Sequence, residues 1–323
     1  MRIAFVSNFL NHHSQYLSEA LIKLSDRFMF VATEAVKNEG FQTAKNESYV
    51  YSYYDDKDKS DIEAFLMSAD IAIIGMCPEE LLIKRVNTGK LTYLYSERYF
   101  KKGLLYGLIP QIRKEFLGRF GLLRTADNVY VLSSSAFLSG ELKRYKLPVE
   151  KCYKWGYFPQ TMKYDIEEII SKKRRGSIVW VARFIDWKHP EVCIDLAKKM
   201  LLDGINDFDI DMIGSGTMLN QIKERIVSEN LENHISLLGG MTPEEVRKHM
   251  EDSEILIFTS DRKEGWGAVL NEAMNSGCAV VASSDIGSVP YLIKDRENGF
   301  IYQNGNLNDL YKKVKTLYID ADK

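Results

Sequence analysis

Short apolar runs alternate along this chain with segments whose apolar residues recur every three or four positions. In the amino half the runs 2–7, 28–33, 70–75, 91–95 and 128–133 are rich in Val, Ile, Leu, Phe and Tyr and predict buried strands. Between them, Tyr16, Leu17, Ala20, Leu21 and Leu24 keep helical spacing. The carboxyl half repeats the scheme, with strands predicted at 177–182, 208–213, 234–238, 254–258, 278–282 and 299–302. Helices are predicted there at 190–202, 217–230, 243–252, 267–276 and 307–317. Strands alternating with helices predict parallel βαβ units, hence a doubly wound sheet in each half. Residues 37–59 are polar and weakly periodic and read as loops around one short strand near 49–53. Between the halves, 147–175 carries Pro148, Gly156 and Pro159, then the charged run Lys172-Lys173-Arg174-Arg175. A boundary near residue 158 is expected, giving domains 1–157 and 158–323, with the last helix a candidate to pack back toward the first domain. The predicted fold class is α/β, two Rossmann-like doubly wound domains facing a central cleft, with ligands at the carboxyl ends of the strands.

Length agrees, since 323 residues suggest two domains at roughly 150 residues each. With 43 Lys and Arg against 45 Asp and Glu, the net charge of −2 lacks the basic excess of a dedicated nucleic-acid binder. The halves differ: residues 1–157 hold 22 basic and 18 acidic residues, a net of +4, leaving 158–323 at −6. Cys77, Cys152, Cys193 and Cys278 are scattered, which predicts neither a disulfide framework nor a zinc site and suits a reducing cytoplasm. Met1–Val6 runs into polar residues rather than a leader's apolar core. No apolar run approaches the roughly 20 residues of a membrane span.

The most specific stretch is Glu264-Gly265-Trp266-Gly267-Ala268-Val269-Leu270-Asn271-Glu272-Ala273. Two carboxylates stand eight positions apart across a strand–loop–helix junction. Gly265 and Gly267 admit close backbone approach, and the N–H groups of the new helix favour an anion. Each carboxylate could thus reach a different part of one extended ligand, or the two could be solvated surface charges. A second stretch, Val179 to Pro190, ends a strand and places Arg183 and Lys188 five apart in a loop before a helix opened by Pro190. Two cations at a strand end suit a diphosphate, Arg as a fork and Lys as a point charge.

These residues resemble the retaining GT-B glycosyltransferases of family 4, the glycosyl transferases group 1. The likeness rests on Glu264 and Glu272 as that family's paired glutamates, on 277–283, on 286–293 and on Asn298-Gly299-Phe300-Ile301-Tyr302. It covers nearly all of 177–318. The resemblance implies that Glu264 contacts donor-sugar hydroxyls, that Glu272 holds the nucleotide ribose, and that Gly265, Trp266, Gly267 and Ala268 form the donor loop. Arg183 and Lys188 match the family's pyrophosphate ligands, although Ala182 and His189 replace its flanking glycines. Gly239-Gly240-Met241 resembles the loop beside the nucleotide base, which makes Gly240 a donor candidate. Gly214-Ser215-Gly216 reads as a tight turn for close helix–sheet packing. What the resemblance implies is a metal-independent, retaining transfer of sugar from a nucleoside diphosphate, UDP favoured over GDP or dTDP. The expected acceptor is a hydroxyl of a growing, lipid-linked cell-surface glycan. No cofactor and no metal are expected. A non-catalytic nucleotide-sugar-binding protein and a GT-B epimerase or phosphorylase remain alternatives.

The amino half departs from the family. Asn11, His12 and His13 follow the first strand where relatives carry glycines, and Ser96-Glu97-Arg98 stands where they place a His. Asn11, His12, His13 and Glu97 are the acceptor-side candidates; a capped helix start with surface histidines and a Glu97–Arg98 pair are the plainer readings. From Arg98 to Arg124 there are seven basic residues and one acid, with Leu105, Ile109, Ile112, Phe116, Phe120 and Leu123 on one helical stripe that Pro110 breaks or starts. That pattern fits an interfacial helix on anionic lipid, or a core helix with solvated flanks. The expected location is the cytoplasm, peripheral to the inner face of the membrane.

Overall fold

The computed structural model describes residues 1–35 and 47–320, and it divides into two units, Met1–Gln160 and Thr161–Lys323. Part of the polar segment expected as loops, 37–46, lies outside the described residues.

In the first unit, seven strands form one parallel sheet: β1 Arg2–Ser7, β2 Arg27–Ala32, β3 Val50–Ser52, β4 Ile71–Ile74, β5 Leu91–Ser96, β6 Val129–Ser133 and β7 Cys152–Lys154. Their order is β3-β2-β1-β4-β5-β6-β7. The helices are α1 His12–Lys23, α2 Lys59–Ser68, α3 Glu79–Val86, α4 Pro110–Phe120, α5 Leu122–Thr125 and α6 Leu138–Arg144. One face of the sheet buries Ala4, Val6, Ile74, Leu94 and Val131 against Phe65, Phe116 and Phe120; the other buries Phe5, Phe30 and Ile73. Burial on both faces is why these strands read as continuous apolar runs. β7 escapes the pattern because it is a three-residue edge strand with Tyr153 and Lys154 exposed.

The second unit begins with α7 Ile166–Ser171 and β8 Arg174–Val181, continuing through α8 Glu191–Leu202, β9 Asp209–Ile213, α9 Leu219–Ser228 and β10 Ile235–Gly239. After α10 Pro243–Asp252 come β11 Ser253–Phe258, α11 Val269–Asn275, β12 Ala279–Ser283, α12 Val289–Leu292, β13 Phe300–Tyr302 and α13 Leu307–Asp320. The sheet is parallel, in the order β10-β9-β8-β11-β12-β13. Thr242 and Glu245 form a capping box at the start of α10, a signature readable in the sequence. α13 packs on α8, β12 and β13 of its own unit, and Leu310, Tyr311 and Val314 are buried there.

One expectation is corrected. Lys172-Lys173-Arg174-Arg175 is not the tail of a linker: Arg174 and Arg175 open β8. Lys173 drives its ammonium onto the carbonyls of Met250 and Ser276, at 2.8 and 2.6 Å. Residues 98–124 divide at Pro110, which starts a helix as its place in the stripe requires. Leu104–Leu108 is a 3-10 turn, α4 starts at Pro110, and Phe116, Phe120 and Leu123 are core while Leu105 and Ile109 face solvent. Proline at the first helical position ends the preceding turn, so the stripe is cut into an inner and an outer part.

Candidate functional site

Both sheets reverse their winding direction between two adjacent strands, and loops leaving those strands in opposite directions open a crevice. In the second unit the reversal falls between β8 and β11, in register at Ile178–Ile255 and Val179–Leu256. The loop after β8 carries Arg183 and Lys188, and the loop after β11 carries Glu264.

Lys188 and Glu264, 76 positions apart, form an ion pair with both side chains about 12% exposed. The ammonium of Lys188 also lies 4.4 Å from the Trp187 ring centroid. Arg183 sits over the same ring at 5.8 Å, is solvent-exposed, and has no carboxylate partner among the described residues. The loop itself is pinned at several points. The hydroxyl of Thr259 donates to the Lys188 carbonyl at 2.6 Å and accepts from the Trp180 indole at 2.8 Å, and Asp261 N–H donates to the Trp187 carbonyl. Thr259 was not anticipated from sequence; the signal available was a buried Trp180 whose N–H requires a partner.

His189, which replaces a family glycine, lies in the left-handed region at φ 53°. Its ring pairs with Glu191 at 2.9 Å, and that hydrogen bond holds the imidazole pKa above its usual value. The Gly214-Ser215-Gly216 turn does more than pack a helix. Ser215 carbonyl accepts from Phe184 N–H, and a Cβ on Gly214 (φ 141°) would lie 1.9 Å from the Ala182 carbonyl oxygen. The turn therefore cradles the backbone on either side of Arg183.

Gly267 is required in the same sense. It holds φ 85°, and a Cβ there would fall 2.4 Å from the Phe258 ring. Trp266 points inward, 2% exposed, with its indole donating to Asn271 at 2.8 Å, and its carbonyl accepts from Ser288 N–H at 3.3 Å. Ala268 is buried at the start of α11, and Gly265 is buried beside it. Glu272 lies in the first turn of α11, where burial pushes its carboxyl up to about 7 against the pull of Arg247. Gly240 is exposed between β10 and the cap of α10; the Gly239 carbonyl beside it accepts from Gly214 N–H at 2.7 Å.

In the first unit the reversal lies between β1 and β4, and a cavity of about 810 Å³ opens there, lined by Asn8, Gly75, Tyr95, Glu97, Lys101 and Arg119 among others. Glu97 bonds Lys101 and the Tyr157 hydroxyl. Arg98 is buried, its guanidinium 3.8 Å from the Phe137 ring centroid. Arg119 donates to the carbonyls of Ile74 and Gly75 at 2.9 and 2.7 Å. Asn11 is the N-cap of α1, accepting from His13 N–H and Ser14 N–H. Its side chain is thus occupied by the plainer role. The rings of His12 and His13 are 3.6 Å apart, and His13 stacks on Tyr157 at 5.4 Å. Burial, then the neighbouring His12, hold His13 down to about 3, so it is a neutral imidazole at pH 7.

Residues 163–323, all but the first two residues of the second unit, match the family "Glycosyl transferases group 1". An uncharacterized glycosyltransferase of Methanocaldococcus jannaschii is 32% identical over 139 residues, 43% of this chain and 37% of that protein. The poly(ribitol-phosphate) alpha-N-acetylglucosaminyltransferase of Staphylococcus aureus is 29% identical over 137 residues, 42% of this chain and 27% of that protein. The chain therefore covers well under half the length of either relative. HepE of Anabaena, solved in complex with UDP and glucose, superimposes with a TM-score of 0.66 over 100% of this chain and 91% of that one, at 15% identity. That likeness gives the fold class, GT-B with two Rossmann-like units. With the paired glutamates, the Arg183–Lys188 loop and the match over 163–323, the second unit of this chain belongs to the group 1 glycosyl transferases.

Proposed function

We propose that this chain is a retaining, metal-independent glycosyltransferase that takes a sugar from a UDP-sugar and joins it to a hydroxyl of a growing, lipid-linked glycan. The observation that carries the reading is the convergence of Lys188, Glu264 and the uncommitted Arg183 at the β8–β11 reversal. A donor diphosphate entering this crevice meets two cations, and Lys188 can share its ammonium between phosphate and Glu264. In the transfer, the bond from the anomeric carbon to the β-phosphate oxygen breaks while the acceptor oxygen bonds the same face of that carbon. The acceptor proton passes to the departing phosphate oxygen, and UDP leaves. Arg183 and Lys188 stabilise the charge that grows on the diphosphate, the term that preorganised electrostatics supply best. Glu264 orients sugar hydroxyls, and Glu272 accepts from the ribose hydroxyls.

Support for UDP comes from HepE, whose complex holds UDP and glucose. A metal-independent route is favoured by where the acids lie. Asp209 and Asp211 form an Asp-x-Asp, yet they sit at the amino-terminal part of β9 on Arg174, away from the strand ends that bear Lys188 and Glu264. The first-unit cavity is lined by Glu79, Glu97 and Glu115 as well as by cations, which suits a polar acceptor rich in hydroxyls. Thermal shift against UDP-, GDP- and dTDP-sugars, followed by release of UDP without acceptor, tests the reading. A UDP-sugar should raise the melting temperature and be hydrolysed slowly; a chain stabilised by none of the panel is not this enzyme.

A further inference from the structure

The 3-10 turn between β5 and α4 exposes side chains that a folded domain ordinarily buries. Leu105 is 73% and Leu108 71% exposed, with Leu104, Tyr106 and Ile109 also open to solvent. This is not a loose loop. The Tyr145 hydroxyl donates to the Gly107 carbonyl at 2.7 Å, and Gly107 is buried, so a Cβ there would strike that hydroxyl at 2.3 Å. Tyr106 N–H and Ile109 N–H close the turn on the carbonyls of Gly103 and Tyr106. The backbone is anchored inward at Gly107, and the leucines on either side are thereby aimed outward. Solvated Lys102 flanks them on one side and Arg113 and Lys114 on the other, with Lys102 and Arg113 over the rings of Tyr106 and Tyr145. The helix that continues from the turn contributes Gln111, Lys114 and Glu115 to the wall of the 810 Å³ cavity.

We propose that Leu104–Ile109 is a membrane-insertion tip for an anionic bilayer, with leucines entering the acyl boundary and Lys102, Arg113 and Lys114 at the phosphate level. Apolar side chains ringed by cations match the two layers of such a surface, hydrocarbon below and negative headgroups above. A second copy of the chain would leave three cations per copy facing one another, which like-charge repulsion opposes. Seating the tip brings α4, and the cavity it walls, to the membrane surface. This purpose rests on the lipid-linked acceptor proposed above, whereas the binding itself does not.

Co-flotation with vesicles of phosphatidylcholine, alone and with about one-third phosphatidylglycerol, tests the tip without any substrate. Wild type should float with the anionic vesicles and be released by salt, which screens within roughly 8–10 Å. The double variant Leu105→Ser, Leu108→Ser should lose at least about tenfold in partitioning per leucine, because the buried apolar area is gone. The triple variant Lys102→Ser, Arg113→Ser, Lys114→Ser should lose roughly fivefold per cation. All five positions are solvent-exposed, and unchanged melting temperatures show that either variant still folds. Equal flotation of wild type with neutral and anionic vesicles, no flotation at low salt, or a leucine variant that floats like wild type overturns the proposal. So does a wild-type dimer that the leucine variant splits while vesicles are ignored. Flotation without sugar transfer would sink the enzymatic reading and leave the tip intact; transfer without flotation would do the reverse.

Discussion

The two units wind the same kind of parallel sheet and each reverses it once, yet they use their basic residues in opposite ways. In the first unit three of the four cations lining the cavity at the reversal are already engaged: Arg119 on two carbonyls, Arg98 over Phe137, Lys101 on Glu97. In the second unit Lys188 pairs with the largely buried carboxylate of Glu264, and Arg183 lies at the crevice with no acid partner among the described residues. A cation bound to backbone carbonyls holds a fold together. A cation fixed by a pinned loop and left without an acid is placed for an anion that arrives. The basic composition of a unit is therefore a poor guide to where its chemistry lies, and the partners of each cation are a good one.

Substitution at Lys188 should break this contrast most sharply. Lys188→Ala removes a preorganised cation and leaves Glu264 unpaired, so kcat should fall by about 10²–10³. A transfer assay that found wild-type turnover would end the donor-site assignment. In the first unit, Arg119→Met should act on stability instead, costing about 1–3 kcal/mol by orphaning the Ile74 and Gly75 carbonyls, read as a lower urea midpoint. If the midpoint holds and activity collapses, Arg119 belongs with the chemistry and the contrast is wrong.

Gly267→Ala should cost about 1–3 kcal/mol through contact with Phe258, whereas Gly239→Ala, with a similar positive φ but no atom within 4 Å, should cost about 1 kcal/mol. Paired thermal melts compare them. Arg183→Ala should lower kcat/KM about tenfold, roughly 1.4 kcal/mol, with an unchanged melting temperature because the side chain is exposed.

The smallest expected effect is a pH dependence. The ribose role proposed for Glu272 needs its carboxylate form, and burial raises the free group's pKa to about 7. As pH falls below about 7, protons compete with the ribose, so UDP affinity should drop by at most about tenfold per unit. Above that pH it should level off. Calorimetry across this range should show the slope in wild type and a flat profile in Glu272→Gln; a slope retained in the variant would assign the titration elsewhere.

Much of this was legible from residues alone. Strands buried on both faces advertise themselves as apolar runs, so β1, β8 and β11 were readable, and Glu264, Glu272, Arg183 and Lys188 stood out by local spacing. The edge strand β7 was not readable, because three half-solvated residues carry no periodicity. In the stripe from Leu105 to Leu123 the break at Pro110 was readable, but which part faces the core was not, because helical spacing is the same on both sides of the proline.

What the sequence determined by itself was therefore what depends on neighbours along the chain: strand and helix alternation, the Thr242–Glu245 cap, the glycines of the loop between β11 and α11. The tertiary structure alone decided what depends on residues far apart. That Lys188 meets Glu264 across 76 positions follows from β8 and β11 being adjacent at the reversal of the sheet. That Arg119 reaches Ile74 and Gly75 while Arg183 meets no acid among the described residues follows from packing. Side-chain charge is written in the sequence; its partner is chosen by the path of the backbone, because an ion pair or hydrogen bond acts over a few ångströms of space, whatever the separation along the chain.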